Sequence, residues 1–580
     1  MKRTFIGPIV FMLMIASIFL PAQGTFTTQP KGNALRTDAV EWWPMFHHDI
    51  QNTGYTVSNS PDTTHKLWTS LIDNDIWFSS PAVVDDTLVI GTGERYDDRS
   101  KDLSAAIHFY ETERLMKDST FLDILNNAEK PLSPEIGKLF CLNAKTGTVR
   151  WSVEANGSVF SSPVIDNGKV YFVSADSENF TGNLYCLNVE TGAEIWNLSV
   201  MTGFTSPILS NDRLYLLTVN PDTLFGRLQC LDTADGHELW NHTTGYIDFS
   251  MYTSPALADG KVFFTSIDVT SGIYCKITCL NQSTGQKLWA TKLGKMDFGY
   301  ALSSPVIDAQ KAYVISANTK GTEEFSTELI CLNTSTGLIL WNYTMKENTK
   351  NEISFVSPAV AYGNVYFSST EDLWSYGKIT CLNGGNGSLL WAYKSADIYT
   401  SSSPAVSNGK VFIGGTNVTT FKGNLYCFDA YNGKPLYTVF VDSDTVDSSP
   451  AIADDAVFIG AISGKMIAVK DAFKIGVITG GFLSVKTDIS NVGTEDIQDV
   501  RYTIAVVGGV FKHINVQTND TIPVLEAQTT DAIKASPILG FGKIHVTVTV
   551  EMEGVNPVVK TADGFIFGIF VITGIPVILK

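Results

Sequence analysis

Eight markers of the form Ser/Thr/Val–Ser–Pro, with prolines at 81, 163, 207, 255, 305, 358, 404 and 450, set one more residue each at a fixed offset. Three residues before each proline stand Phe78, Phe160, Phe204, Tyr252, Leu302, Phe355, Ser401 and Asp447. If the markers repeat around one axis, five aromatic rings and one carboxylate gather at its mouth. Such a set could stack on a sugar, a peptide or a quinone and accept a hydrogen bond. The same aromatics could instead wedge neighbouring units and fill the gap, which is what repeated aromatics usually do. Other chemistry is sparse. His47–His48 is an isolated pair read as structural, and no nucleophile–base signature, His-rich metal motif or glycine-rich phosphate loop stands out.

The elements that must position this set recur. The clearest copy, Gly182 to Trp196 (GNLYCLNVETGAEIW), reads as a β-hairpin: alternating Leu184 to Leu187, a turn over Asn188 to Gly192, then a strand from Glu194 ending on Trp196. Further copies end at Trp151, Trp240, Trp289, Trp341, Trp391 and Tyr437. Upstream of each, a marker is followed by two short alternating runs, often joined by Asn–Gly or Asp–Gly, a strong hairpin signal. From Pro163 onward the prolines fall 44 to 53 residues apart. Four short strands at that period are the signature of a propeller blade, whereas independent sandwiches need about 100 residues per unit.

The eighth copy, from Ser448, stops after GKMIAVK, without its tryptophan-ending strand. The missing pattern stands at 65–71, HKLWTSL, with Trp68 in the place of Trp196. The expectation is an eight-bladed β-propeller closed by this N-terminal strand, which removes an exposed sheet edge.

The turn pattern Cys/Ala-x-Asn/Asp-x-x-Thr-Gly-x-x-x-Trp, complete in Cys141, Asn143, Thr146, Gly147 and Trp151, resembles the tryptophan-docking repeat of the pyrroloquinoline-quinone (PQQ) propeller superfamily. That superfamily holds eight-bladed quinoprotein dehydrogenases and the non-enzymatic outer-membrane assembly lipoprotein BamB. The opening WWPMFHHDIQNTGYT, 42–56, is similar to its usual lead-in. The resemblance covers roughly 42–470 and implies that each tryptophan stacks on the neighbouring blade's turn.

Residues 1–24 read as a secretion signal: Lys2 and Arg3, an apolar run from Phe5 to Leu20, then small residues for cleavage. An uncleaved anchor is the other reading. Residues 25–40 form a polar tether, and 41–471 the propeller. Within blade one, 94–136 is an insertion with helical spacing over 103–116; it is either a lid or docking element on the loop face, or a decoration packed on the rim. Residues 472–580 alternate in VKTDISNVG, VRYTIAVVGG, GKIHVTVTVE and GFIFGIFVI, an immunoglobulin-like β-sandwich that loosely resembles adhesion-type modules of cell surfaces. The apolar run 564–579 raises a C-terminal membrane anchor, but its glycines, Pro576 and β-branched residues favour strands.

The chain carries 41 Lys and Arg against 59 Asp and Glu, a net −18 that argues against nucleic acid and against binding anionic membranes through charge. Seven of eight cysteines share one repeat position, too far apart for disulfides, and read as small buried thiols. Ten Asn-x-Ser/Thr sequons suit a glycosylated extracellular protein.

Two functions follow. One is a secreted or cell-surface, non-enzymatic binding or scaffold protein that engages a protein or glycan through its loops. It is expected to be monomeric, to need no cofactor or metal, and to permit association with a membrane or envelope. The alternative is a PQQ- and calcium-dependent dehydrogenase of alcohols or sugars. The resemblance implies that such an enzyme needs carboxylate and amide oxygens on a cation, a general base and an adjacent Cys–Cys disulfide. No adjacent cysteines occur, and Asp447 is a lone carboxylate candidate.

Overall fold

Seven of the eight repeats fold as four antiparallel strands in chain order. In the computed structural model the described residues are 41–93, 136–176, 181–201, 205–220, 225–246, 253–268, 274–295, 303–319, 325–347, 350–354, 356–371, 376–493, 496–553 and 555–573. The signal, tether and all but Ile136 of the 94–136 insertion lie outside them.

In the second unit, Val164–Asp166, Lys169–Ala175, Thr181–Asn188 and Glu194–Met201 pair in succession. The two-residue turn at Asn167 and Gly168, with φ of 48° and 75°, matches the twist of the strands it joins. The third strand is almost wholly buried, because neighbouring units cover both its faces. The fourth runs five residues beyond Trp196, where the sequence reading ends it: no glycine or proline interrupts it, and Leu198 and Val200 alternate onto the core.

The same succession recurs in six further units, beginning at Ala82, Ile208, Ala256, Val306, Ala359 and Ala405. An eighth group, Ala451–Ala453, Ala456–Gly460 and Lys465–Lys470, takes its outer strand from Lys66–Leu71, with Lys66 opposite Val469 and Trp68 opposite Ala468.

Tryptophans couple the units. The Trp68 indole donates to the Ala144 carbonyl at 2.8 Å, Trp151 to Val189 at 3.0 Å, and Trp391 to Ala430 at 2.9 Å. Each ring lies on the glycine of the next unit's turn. A Cβ on Gly147 would sit 2.6 Å from the Trp68 ring, and the φ of +71° at Gly147 already excludes most side chains. Trp341 stacks on Gly387 in the same way, although its indole N–H is buried without an acceptor. All eight cysteines are free and buried.

From Ala472 a second core begins. One sheet sets Phe473–Ile475, Thr479–Gly481 and Thr530–Ala535 against Ser484–Asn491; the other runs Ile514–Leu525, Ile497–Gly508, Gly540–Met552, Val555–Gly568, Phe570–Thr573. Both contribute to one buried cluster that includes Val485, Ile489, Ile504 and Val546. GFIFGIFVI is thus two strands, reversing where Gly568 takes φ +64°. Among the described residues no helix is long and apolar enough to cross a membrane.

Candidate functional site

A proline restricts the residue before it to extended backbone, which turns that residue's amide sideways toward the neighbouring unit. Each of the eight markers has serine there. The Ser80 amide donates to Ser162 Oγ at 3.0 Å, and Ser162 to Ser206 at 2.9 Å. The relay continues from Ser206 to Ser254, Ser304, Ser357, Ser403 and Ser449, at 2.9–3.2 Å. Ser449 then donates to Ser80 at 3.2 Å, so the circuit closes on itself. The sequence carries a signal for this relay that strand location and the mouth offset do not use: the serine before proline is the same in all eight copies while the residue ahead of it varies.

Two residues beyond the prolines, the lead-in segment lies across the inner strands. The amides of Val83, Ile165, Leu257, Ile307, Val360 and Val406 donate to the carbonyls of Trp43, Pro44, Ile50, Gln51, Thr53 and Gly54, at 2.6–2.9 Å. The Asn52 side chain bridges the Pro255 and Pro305 carbonyls. His47 is buried with φ 54°, its Nδ1 3.2 Å from the Asn52 carbonyl, and burial pulls its pKa down to about 4. The lead-in backbone thus ties together the inner strands of six of the eight units.

The predicted mouth residues lie on the other side of the serine circuit. Phe78 is 45% exposed and meets the Phe160 ring edge-on, with centroids 6.2 Å apart. Asp447 accepts a hydrogen bond from the Ser401 hydroxyl of the preceding unit, and burial raises its pKa. Phe204, Tyr252, Leu302 and Phe355 lie outside the described residues. The structure thus brings two pairs of neighbours together, each at equivalent positions of adjacent units.

A buried ion pair escaped the sequence reading. Glu352 stands on an added strand, Lys350–Ile353, between two units; it is 1% exposed and 2.7 Å from Lys378 Nζ, with the Ser369 hydroxyl at 3.2 Å. Asp232, Asp235 and His237, whose side chains could converge on an ion, occupy an exposed outer turn. Asp232 and Asp235 there accept amides of their own turn.

These residues do not fit a quinone held through a cation. A hard cation wants six to eight oxygens, largely carboxylate and amide, whereas the eight mouth positions supply one carboxylate and no amide. That carboxylate is engaged by Ser401. The thiols are buried, with burial pushing Cys141 up to about 11 and Cys279 to about 12. No redox step follows from this set.

The family model described as outer membrane protein assembly factor BamB matches residues 133–182, 179–322 and 275–505, which together span more than half of the chain. The chain belongs to that family. The match to this BamB-like family covers most of the repeats in which the tryptophan–glycine coupling recurs. Similar solved structures include the quinohemoprotein alcohol dehydrogenase of Comamonas testosteroni, with TM-score 0.51 and 12% identity over 78% of this chain and 84% of that one. Quinohemoprotein alcohol dehydrogenase ADHIIG of Pseudomonas putida HK5 gives 0.50 and 10% over 76% and 83%. A europium-containing methanol dehydrogenase gives 0.50 and 11% over 79% and 90%. At such identities the likeness is one of fold. No curated protein matches the chain in sequence.

Proposed function

We propose that this BamB-like protein is a secreted or cell-surface binding scaffold. In this reading the eight four-stranded groups are eight blades, Lys66–Leu71 closes them, and residues 472–573 form an immunoglobulin-like sandwich that follows them in the chain. A protein or glycan partner is engaged through the loop face around Phe78, Phe160, Ser401 and Asp447. The observation that carries the reading is the composition of the mouth: aromatic edges and one Ser–Asp pair, which recognise by stacking and hydrogen bonding, without the oxygen set a catalytic cation requires. The serine circuit supports the count of eight, and the lead-in segment occupies the side of that circuit opposite these residues.

Calorimetric titration with PQQ and Ca²⁺, beside a screen of glycans and of purified cell-surface proteins, tests the proposal. The expected outcome is no heat with PQQ and a glycan or protein ligand whose binding is lost in Phe78→Ser/Phe160→Ser. Micromolar PQQ binding with dye-linked oxidation of alcohols or sugars would overturn it.

A further inference from the structure

We propose that the turn end of the 472–573 module docks on a lipid bilayer with anionic headgroups. Four connections meet at this end: those after Thr479–Gly481, Ile497–Gly508, Thr530–Ala535 and Val555–Gly568. Their proximity is fixed by Leu483 N–H to Ile569 O at 2.7 Å, Ile538 N–H to Leu483 O at 2.9 Å, and Gly509 N–H to Lys543 O at 2.6 Å.

On these connections stand Phe482, Phe511 and Leu539, and on the strand ends beside them Phe541, Phe567 and Phe570, each 55–86% exposed. Two pairs of these rings meet edge-on, Phe482–Phe570 at 5.9 Å and Phe541–Phe567 at 6.0 Å. Phe511, the most exposed at 86%, is held at φ 59°, a left-handed conformation costly for a bulky residue. Soluble surfaces rarely carry such a patch without a partner.

Charge selects the partner. Lys486 and Lys534 face each other across the strand pair leading to this end, Lys512 lies on a turn, and Lys543 is beside it. The far end of the module instead carries Asp496, Asp499, Glu526, Asp531, Glu551 and Glu553, within a chain of net charge −18. Two lysines directly opposite repel unless an anion lies nearby. A second copy pairing through the same patch would set these lysines against their equivalents. An anionic interface accepts both the lysines and apolar side chains reaching about 5–10 Å into the headgroup boundary. This inference does not depend on what the propeller binds.

The test is co-sedimentation of the full chain with vesicles of phosphatidylglycerol and phosphatidylcholine, against vesicles of phosphatidylcholine alone. Phe511→Ser/Phe541→Ser should weaken binding to the anionic vesicles by at least about tenfold. Lys512→Ala/Lys543→Ala, on exposed side chains, should weaken it by about fivefold per lysine and flatten its salt dependence. Wild type and variants all carry the same residues 1–471, so differences among them report the 472–573 module. Equal binding of wild type and both variants, or none by wild type, would overturn the proposal. So would a concentration-dependent dimer that the phenylalanine pair abolishes, since a second copy would then cover the face.

Discussion

The Ser80 hydroxyl receives the amide of Ser449 at 3.2 Å, across 369 residues of chain, and so joins the last repeat to the first. Both serines are buried, and the same bond recurs between every other pair of neighbours. Ser80→Ala leaves one buried amide without an acceptor and should cost about 1–2 kcal/mol in urea unfolding. Ser206→Ala, well away from the seam, should cost a similar amount. A much larger loss at Ser80 would mean that the seam is weaker than the joints elsewhere.

Trp68 supplies the outer strand's ring to the turn at Gly147. Trp68→Ala should cost about 3–5 kcal/mol, because it removes a buried indole and its bond to the Ala144 carbonyl. Gly147→Ala should cost about 1–3 kcal/mol through strain at positive φ. Removing 66–70 should expose the Lys465–Lys470 edge and yield an aggregating chain; an unchanged melting temperature would rule out closure by this strand.

Two groups give acid stability opposite slopes. Burial holds His47 neutral, with its pKa lowered from 6.5 to about 4. Its contribution is complete above pH 6.5 and is lost as pH falls toward 4, by up to about 3 kcal/mol. Burial, and then the Asp62 charge, raise Asp471 from 3.8 to about 6. That group favours the folded state as pH falls from 6 to 4, and its contribution is lost on the return. Unfolding measured between pH 4 and 7 should show His47→Asn less acid-labile than wild type, and Asp471→Asn more so.

Glu352→Ala would strand the Lys378 ammonium in a buried site and should cost about 3–5 kcal/mol. The double change Glu352→Leu/Lys378→Met should restore most of that loss in the same denaturation assay. If the double variant is no better than the single one, the pair's role is not electrostatic.

The strand succession was legible because apolar alternation, Asn–Gly turns and tryptophan endings each recur and reinforce one another. The origin of the eighth group's missing strand was legible too, since only 65–71 carried the pattern without a partner. Ile514–Leu525 was not, because its QTND centre is solvent-facing and breaks the alternation. Nor was the backing given to the hub by 43–54, which bonds through main-chain carbonyls that every residue type possesses. Glu352 and Lys378 belong to no repeat position in common, so neither pointed to the other. At the mouth, the Phe78–Phe160 and Ser401–Asp447 neighbours follow from the marker offset alone.

The pairing of Lys66–Leu71 with Lys465–Lys470 also sets a timetable. A strand made early during synthesis has no partner until some four hundred further residues have left the ribosome, and the loop it closes carries a correspondingly slow search. Until then Lys66–Leu71 is a strand without a sheet, and Lys465–Lys470, once made, keeps a bare edge. Shielding of that edge during synthesis should therefore raise the yield of closed protein.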